Sequence, residues 1–283
     1  MRAMGVADKL RELRWRAAGH YSRPLPDAFV APLRGATALE VGGPSHVFSS
    51  AGLVPVYDAC ASVDGVQFAA ETIWHGEQAA GEYTPQPGPP TGAMHVTDGA
   101  TLDGIPDGRY DAVISSHVIE HFANPLGGLA AWRRVARDGA HLLMVAPHMA
   151  GTFDHRRAVT PLAHMVEDHE RGTGEDDLTH LDETLALHDR SRDAEPDDQE
   201  AWAAARRDNA RTRVIHHHAF TTESLLALLD RAAIQLDAVE VRHPHDIYVI
   251  GRFASAPDNA ALLGANAAWR AASPFPVDRT VRA

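Results

Sequence analysis

Between Ala36 and Phe253 the chain alternates short apolar runs with stretches of helical spacing, and turn residues separate the two. Thr37-Ala38-Leu39-Glu40-Val41 reads as a buried strand that ends at Gly42-Gly43-Pro44-Ser45. Leu53 to Tyr57 reads as a second strand closed by Asp58, and Met94 to Thr97 as a third closed by Asp98. Tyr110 to Ser115 and His141 to Ala146 read as a fourth and a fifth. Between these last two, Leu126, Leu129, Trp132 and Val135 fall at helical spacing, which predicts a helix over about 125–137 with Gly139 at its C-terminus. Alternating strands and helices predict an α/β fold: a doubly wound, mostly parallel sheet whose ligand crevice lies at the carboxyl ends of the strands.

The alternation stops at Pro147 and resumes near Arg213. Thr221 to Ala233 predicts a helix capped by Thr222, and Ile234–Val241 and Ile247–Phe253 predict an antiparallel edge pair. Residues 149–213 are therefore expected to be an insertion after strand five, with 191–200 as a loop. Val6, Leu10, Leu13 and Ala17 predict an amphipathic helix over 4–18, and 258–272 an alanine-rich helix. The expected division is 1–35 as an N-terminal lid, 36–148 with 214–253 as the core, 149–213 as a cover, and 254–283 as a tail.

Composition narrows the picture. The net charge is −12, which disfavours a nucleic-acid backbone as partner, and 14 acidic residues against 3 arginines fall in 165–200. No apolar run approaches the ~20 residues of a membrane span, so a cytoplasmic address is expected, and a homodimer is compatible with the sequence. Cys60 is the single cysteine, so an internal disulfide and a thiolate metal cluster are both excluded.

Two glycines after a buried strand allow a ligand to approach the backbone closely, and an acid such as Asp58 closing the next strand can hold both hydroxyls of a ribose. The segment 110–121, Tyr-Asp-Ala-Val-Ile-Ser-Ser-His-Val-Ile-Glu-His, followed by 132–139, Trp-Arg-Arg-Val-Ala-Arg-Asp-Gly, makes the pattern specific. With the Glu40-Val41-Gly42-Gly43 loop it resembles the class I S-adenosylmethionine (SAM)-dependent methyltransferases, in particular a small-molecule branch that includes quinone-biosynthesis enzymes. Arg137-Asp138-Gly139-Ala140 departs from the family's RxLKPGG-like turn, and Pro44 or Ser45 stands where a third glycine is usual. The resemblance implies a Rossmann-like methyltransferase sheet with SAM as cofactor. It implies that Glu40, Gly42 and Gly43 line the methionine end, Asp58 binds the ribose, Asp98 reaches the adenine amine, and Ser115 and His117 flank the sulfonium.

Eighteen histidines are the oddest feature of the composition, and many sit in or beside the insertion with acidic neighbours. Asp154, His155, Asp177, His180, His216 and His218 have the chemistry of a divalent metal site without thiolate. The same groups could equally bind and deprotonate a polar acceptor, or be structural. His148, just past strand five, together with His155 and His117, are the candidate bases. The favoured reading is methylation of a hydroxyl on a small polar molecule, a sugar or secondary-metabolite precursor, with or without a divalent metal. A His/Asp metal-centred hydrolase or oxygenase and a non-catalytic SAM-binding protein stay open.

Overall fold

The computed structural model describes residues 23–72, 76–77, 80–193 and 198–280, so the helix expected over 4–18 lies outside the described residues. The main sheet holds β1 (Thr37–Val41), β2 (Ser62–Gln67), β5 (Gly81–Tyr83), β6 (Gly92–Val96), β7 (Tyr110–Ser116), β8 (Ala136–Pro147), β9 (Ile234–Arg242) and β10 (Asp246–Phe253). Their order is β5-β6-β2-β1-β7-β8-β10-β9, and β3 (Glu71–Thr72) and β4 (Gly76–Glu77) pair separately. Strands β6, β2, β1, β7 and β8 run parallel, while β10 is antiparallel to both β8 and β9, giving the Rossmann-like sheet and edge pair expected from the sequence.

One strand lies elsewhere than expected. Leu53 to Tyr57 is buried but irregular, and β2 is Ser62–Gln67. Its interior Asp64 is polar yet satisfied: it accepts from Arg109, Tyr110 Oη (2.8 Å) and Ala93 N (2.8 Å). Gly65 lies under the Tyr83 ring, where a Cβ would come within 2.7 Å. The run Leu53-Val54-Pro55-Val56-Tyr57 joins no sheet: Pro55 has no N–H to give, and Val54 N and Tyr57 N donate to the carbonyls of Val47 (3.0 Å) and Phe48 (3.1 Å).

The helices are α1 (Pro125–Val135), α2 (Leu162–Arg171), α3 (Leu181–Leu187), α4 (Gln199–Arg207), α5 (Asn209–Thr212), α6 (Thr222–Arg231), α7 (Ala260–Leu263), α8 (Ala268–Ala272) and α9 (Pro276–Arg279). Asn124 caps α1, accepting from Gly127 N at 2.8 Å, and Pro125 occupies the first turn, where its missing N–H costs nothing. Gly139 does not end α1, which stops at Val135; it sits at φ +72° in the irregular start of β8, where the β7 ladder jumps from Ala136 to His141. The cap of α6 is Thr221 in a reciprocal box with Ser224, while Thr222 Oγ1 donates to Asp278. The alanine-rich tail forms two short helices in place of one.

Alternate strand residues face opposite layers. Leu39, Val113 and Leu142 pack with Trp132, Leu225 and Phe253 on one side; Ala38, Ile114 and Leu143 pack with Phe48, Tyr57 and Tyr248 on the other. Cys60 is buried among the second set. Residues 149–213 hold α2 to α5, the segment expected from the sequence to be an insertion. No helix among the described residues is long and apolar enough to cross a membrane.

Candidate active site

A cavity of about 1120 Å³ opens at the carboxyl ends of the parallel strands. That is at the upper edge of the ~300–1,000 Å³ usual for a small-molecule pocket. Its lining includes Gly42, Gln67, Phe68, Asp98 and Gly99 from the glycine loop and the neighbouring strand ends, Ser116 and His117 after β7, and Glu120, His121, Phe153, Trp202, Arg206 and His216.

The glycine loop is built from beneath. Gly42 holds φ +80° against Val118, whose Cγ2 would lie 2.5 Å from an added Cβ. Glu40 does not line the cavity. It is fully buried, accepting from Tyr57 Oη (2.7 Å), Tyr83 Oη (2.6 Å) and Ser45 N (3.0 Å). Burial pushes its carboxyl above the usual range, and these donors pull it back. Gly43 rests on that carboxylate, so its backbone is fixed by Glu40 from below.

Asp58, the expected ribose acid, stands outside the cavity: it lies exposed in a turn and accepts from Ser50 Oγ at 2.8 Å and Gln86 Nε2 at 2.9 Å. With β2 displaced, the residue at its carboxyl end is Gln67, whose amide donates to the Gly43 carbonyl. Asp98 does reach the rim. Its Oδ1 accepts from Ala100 N (2.8 Å) and its Oδ2 from Arg213 (2.7 Å), which also holds Glu175 Oε2 at 2.6 Å. This network ties the return of the insertion to the sheet. Burial pushes Glu175 up to about 7, outweighing the pull of Arg213, and Asp98 adds in the same direction. A carboxyl raised from 4.5 stabilises the fold at low pH and loses that contribution as pH rises through about 7. Glu175→Gln should match the parent in chemical denaturation at pH 4.5 and exceed it by up to about 3 kcal/mol at pH 8, since each pKa unit is worth ~1.36 kcal/mol.

His117 is the expected base that the cavity reaches. Its ring Nε2 lies 3.0 Å from Asp246 Oδ1 and its Nδ1 3.8 Å from Glu120 Oε1. Burial disfavours the charged ring, but the Asp246 hydrogen bond and the Asp246 and Glu120 charges together leave it above an ordinary imidazole. Its expected partner Ser115 is buried beneath the rim, and the neighbouring Ser116 faces the cavity.

His148 and His155 do not line the cavity. His148 is fully buried, stacked on Phe275 at 4.0 Å and paired with Asp278 at 3.3 Å. His155 pairs with Asp189 at 2.8 Å. The six expected metal ligands also separate. Asp154 Oδ2 pairs with His216 Nδ1 at 2.6 Å, Asp177 bonds Thr179 in an exposed turn before α3, and His180 lies 3.0 Å from His164, with His218 grouped beside them. Sequence reasoning missed Gln67, Arg213, Glu120, His121 and Asp246. Glu120-His121 stood inside the recognised motif, and His245-Asp246 inside the turn His-Pro-His-Asp, whereas nothing local marks Arg213.

Residues 47–144 match the family described as "Methyltransferase domain". No curated protein matches the chain. Among solved structures, a SAM-dependent methyltransferase from Mesorhizobium loti is 14% identical, with a TM-score of 0.45 over 88% of this chain and 100% of its own. A SAM-dependent methyltransferase from Aquifex aeolicus is 12% identical, with a TM-score of 0.38 over 89% and 100%. A Burkholderia thailandensis 1,6-didemethyltoxoflavin-N1-methyltransferase, bound to its substrate and S-adenosylhomocysteine, is 12% identical, with a TM-score of 0.43 over 90% and 93%. These likenesses are too distant to bear on the reaction. The matched methyltransferase domain, residues 47–144, thus takes in β2, β6 and β7 and most of β8 of the Rossmann-like sheet.

Proposed function

We propose that the enzyme methylates a hydroxyl of a small polar acceptor, a sugar or secondary-metabolite precursor, with SAM at the Gly42–Gln67–Asp98 end and the acceptor at the Glu120–His216–Arg206 end. The carrying observation is one cavity lined both by the glycine-loop group Gly42, Gln67, Phe68 and Asp98 and by the charged and aromatic group His117, Glu120, His216, Trp202 and Arg206. The resemblance of 110–121 to the quinone-biosynthesis branch supports a small-molecule acceptor.

The residues at the first end fit the cofactor. Gly42 exposes backbone at a positive φ, Gln67 has a carbonyl oxygen for a ribose hydroxyl once its amide is held by Gly43, and Phe68 offers an aromatic face for adenine. Bound SAM supplies an electrophilic methyl group on a sulfonium. The chain's task is then alignment, which can be worth ~7–11 kcal/mol. Asp246 fixes the His117 ring, and Nδ1 faces the acceptor end, where it can take the hydroxyl proton, a role worth ~10²–10⁴-fold.

Calorimetry with S-adenosylhomocysteine tests the cofactor end. Gln67→Ala and Asp98→Ala should each weaken binding at least about tenfold, and Asp58→Ala should leave it unchanged. The reverse pattern would return the ribose to Asp58 and sink the assignment.

A further inference from the structure

Glu120 is fully buried, yet neither carboxylate oxygen has a hydrogen-bond partner, and the residue lines the acceptor end of the cavity. Its Oε1 stands 3.8 Å from His117 Nδ1, 3.9 Å from His121 Nε2 and 4.0 Å from His216 Nε2. A hydrogen bond stops near ~3.2 Å, so no proton bridges these gaps. An ion with bonds of ~2.0–2.2 Å spans atoms up to about 4 Å apart.

The far side of both rings fixes which nitrogen faces the carboxylate. His121 Nδ1 lies 3.1 Å from the Ile215 carbonyl, and His216 Nδ1 lies 2.6 Å from Asp154. A backbone carbonyl and a carboxylate act as acceptors, so each Nδ1 carries the hydrogen and each Nε2 can offer a lone pair towards Glu120. A carboxylate or carbonyl that orients an imidazole from behind is the outer support of metal-binding histidines. One ligand atom from each of Glu120, His121 and His216 lies within 4.8 Å of the other two. Two imidazoles and one carboxylate, open to a cavity, are a donor set for first-row divalent ions.

We propose that Glu120, His121 and His216 bind one first-row divalent cation at the acceptor end, with Asp154 as the residue that orients His216. The site deepens the methyltransferase reading, on which it rests only for what the ion would hold: an acceptor that offers an oxygen ligand, such as a hydroxyl with a neighbouring hydroxyl or carbonyl. Asp154, expected from the sequence to be a ligand, becomes a positioning residue. The group His164, His180 and His218 lies outside the cavity and serves as the control.

The test is titration of EDTA-dialysed full-length protein with Co²⁺, followed by visible absorption, with Zn²⁺ and Mn²⁺ calorimetry alongside. One Co²⁺ per chain should bind at the cavity. Glu120→Gln and His216→Gln, each checked for native circular dichroism, should weaken it at least about tenfold, and Asp154→Asn about 10–100-fold. His180→Ala should not change it. Absence of Co²⁺ binding to folded wild type, or binding indifferent to Glu120→Gln and His216→Gln, overturns the site. S-adenosylhomocysteine calorimetry on the same samples separates the two claims: adenosyl binding without Co²⁺ binding removes the metal and keeps the cofactor end, and the converse does the opposite.

Discussion

Replacing His117 with Asn is expected to lower turnover ~10²–10⁴-fold while leaving S-adenosylhomocysteine affinity within about threefold. His117 follows the carboxyl end of β7 at φ +55°, where the chain leaves the sheet and lines the cavity. Asn keeps the left-handed backbone tolerable, since its side chain accepts that region more readily than most. What it loses is a nitrogen that can carry the acceptor's proton. Asp246→Asn provides the companion measurement. It should lower kcat and leave affinity for S-adenosylhomocysteine intact, because Asp246 acts on the ring and not on the cofactor. A His117→Asn enzyme with full turnover would remove the residue from the chemistry.

Gly43→Ala should abolish measurable S-adenosylhomocysteine binding and cost about 3 kcal/mol of stability, at the upper end of overpacking penalties. A Cβ there would lie 2.1 Å from Glu40 Cδ and 2.3 and 2.4 Å from its oxygens. Glu40 cannot withdraw, because Tyr57, Tyr83 and the Ser45 amide hold it in place. The strain must therefore go into the loop, which would lift Gly42 and release Gln67 from the Gly43 carbonyl. Urea denaturation and calorimetry read the two losses separately. A double mutant with Glu40→Gly should recover part of the stability and give a coupling of ~0.5–3 kcal/mol, since the clash and its cause disappear together. Additive effects would show that Gly43 is not constrained by Glu40.

Much of the fold was legible because the strands that carry it are short, mostly apolar and closed by turn or polar residues, as Leu39–Val41 is by Gly42-Gly43 and Leu142–Ala146 by Pro147. Strand β2 was hidden because its interior Asp64 and Gly65 look like turn residues until Arg109, Tyr110 and Tyr83 are brought alongside from 18 to 46 positions away. That displacement carried the ribose assignment to Asp58. At the other end of the cavity, the histidine-rich composition was informative about chemistry but not about which rings meet. Adjacent residues such as His216, His217 and His218 point into different surroundings: His216 to Asp154, His217 to Asn209 at 3.2 Å, His218 to the His164 group. Only the tertiary path of the insertion decides that. Arg213 was invisible for the same reason, since its partners Asp98 and Glu175 belong to distant segments.

Helix α4 lines the cavity with Ala201, Trp202, Ala205 and Arg206, two small and two large side chains on successive turns. Arg206 stacks on Trp202 at 4.0 Å, which makes the large pair a rigid plate. The two alanines beside it are open notches in that plate, and they belong to an element outside the sheet. On the proposed function, acceptor choice and cofactor grip are written on separate pieces of the chain, so the range of molecules accepted would drift through exchange of two methyl-bearing positions while the adenosyl seat stayed untouched.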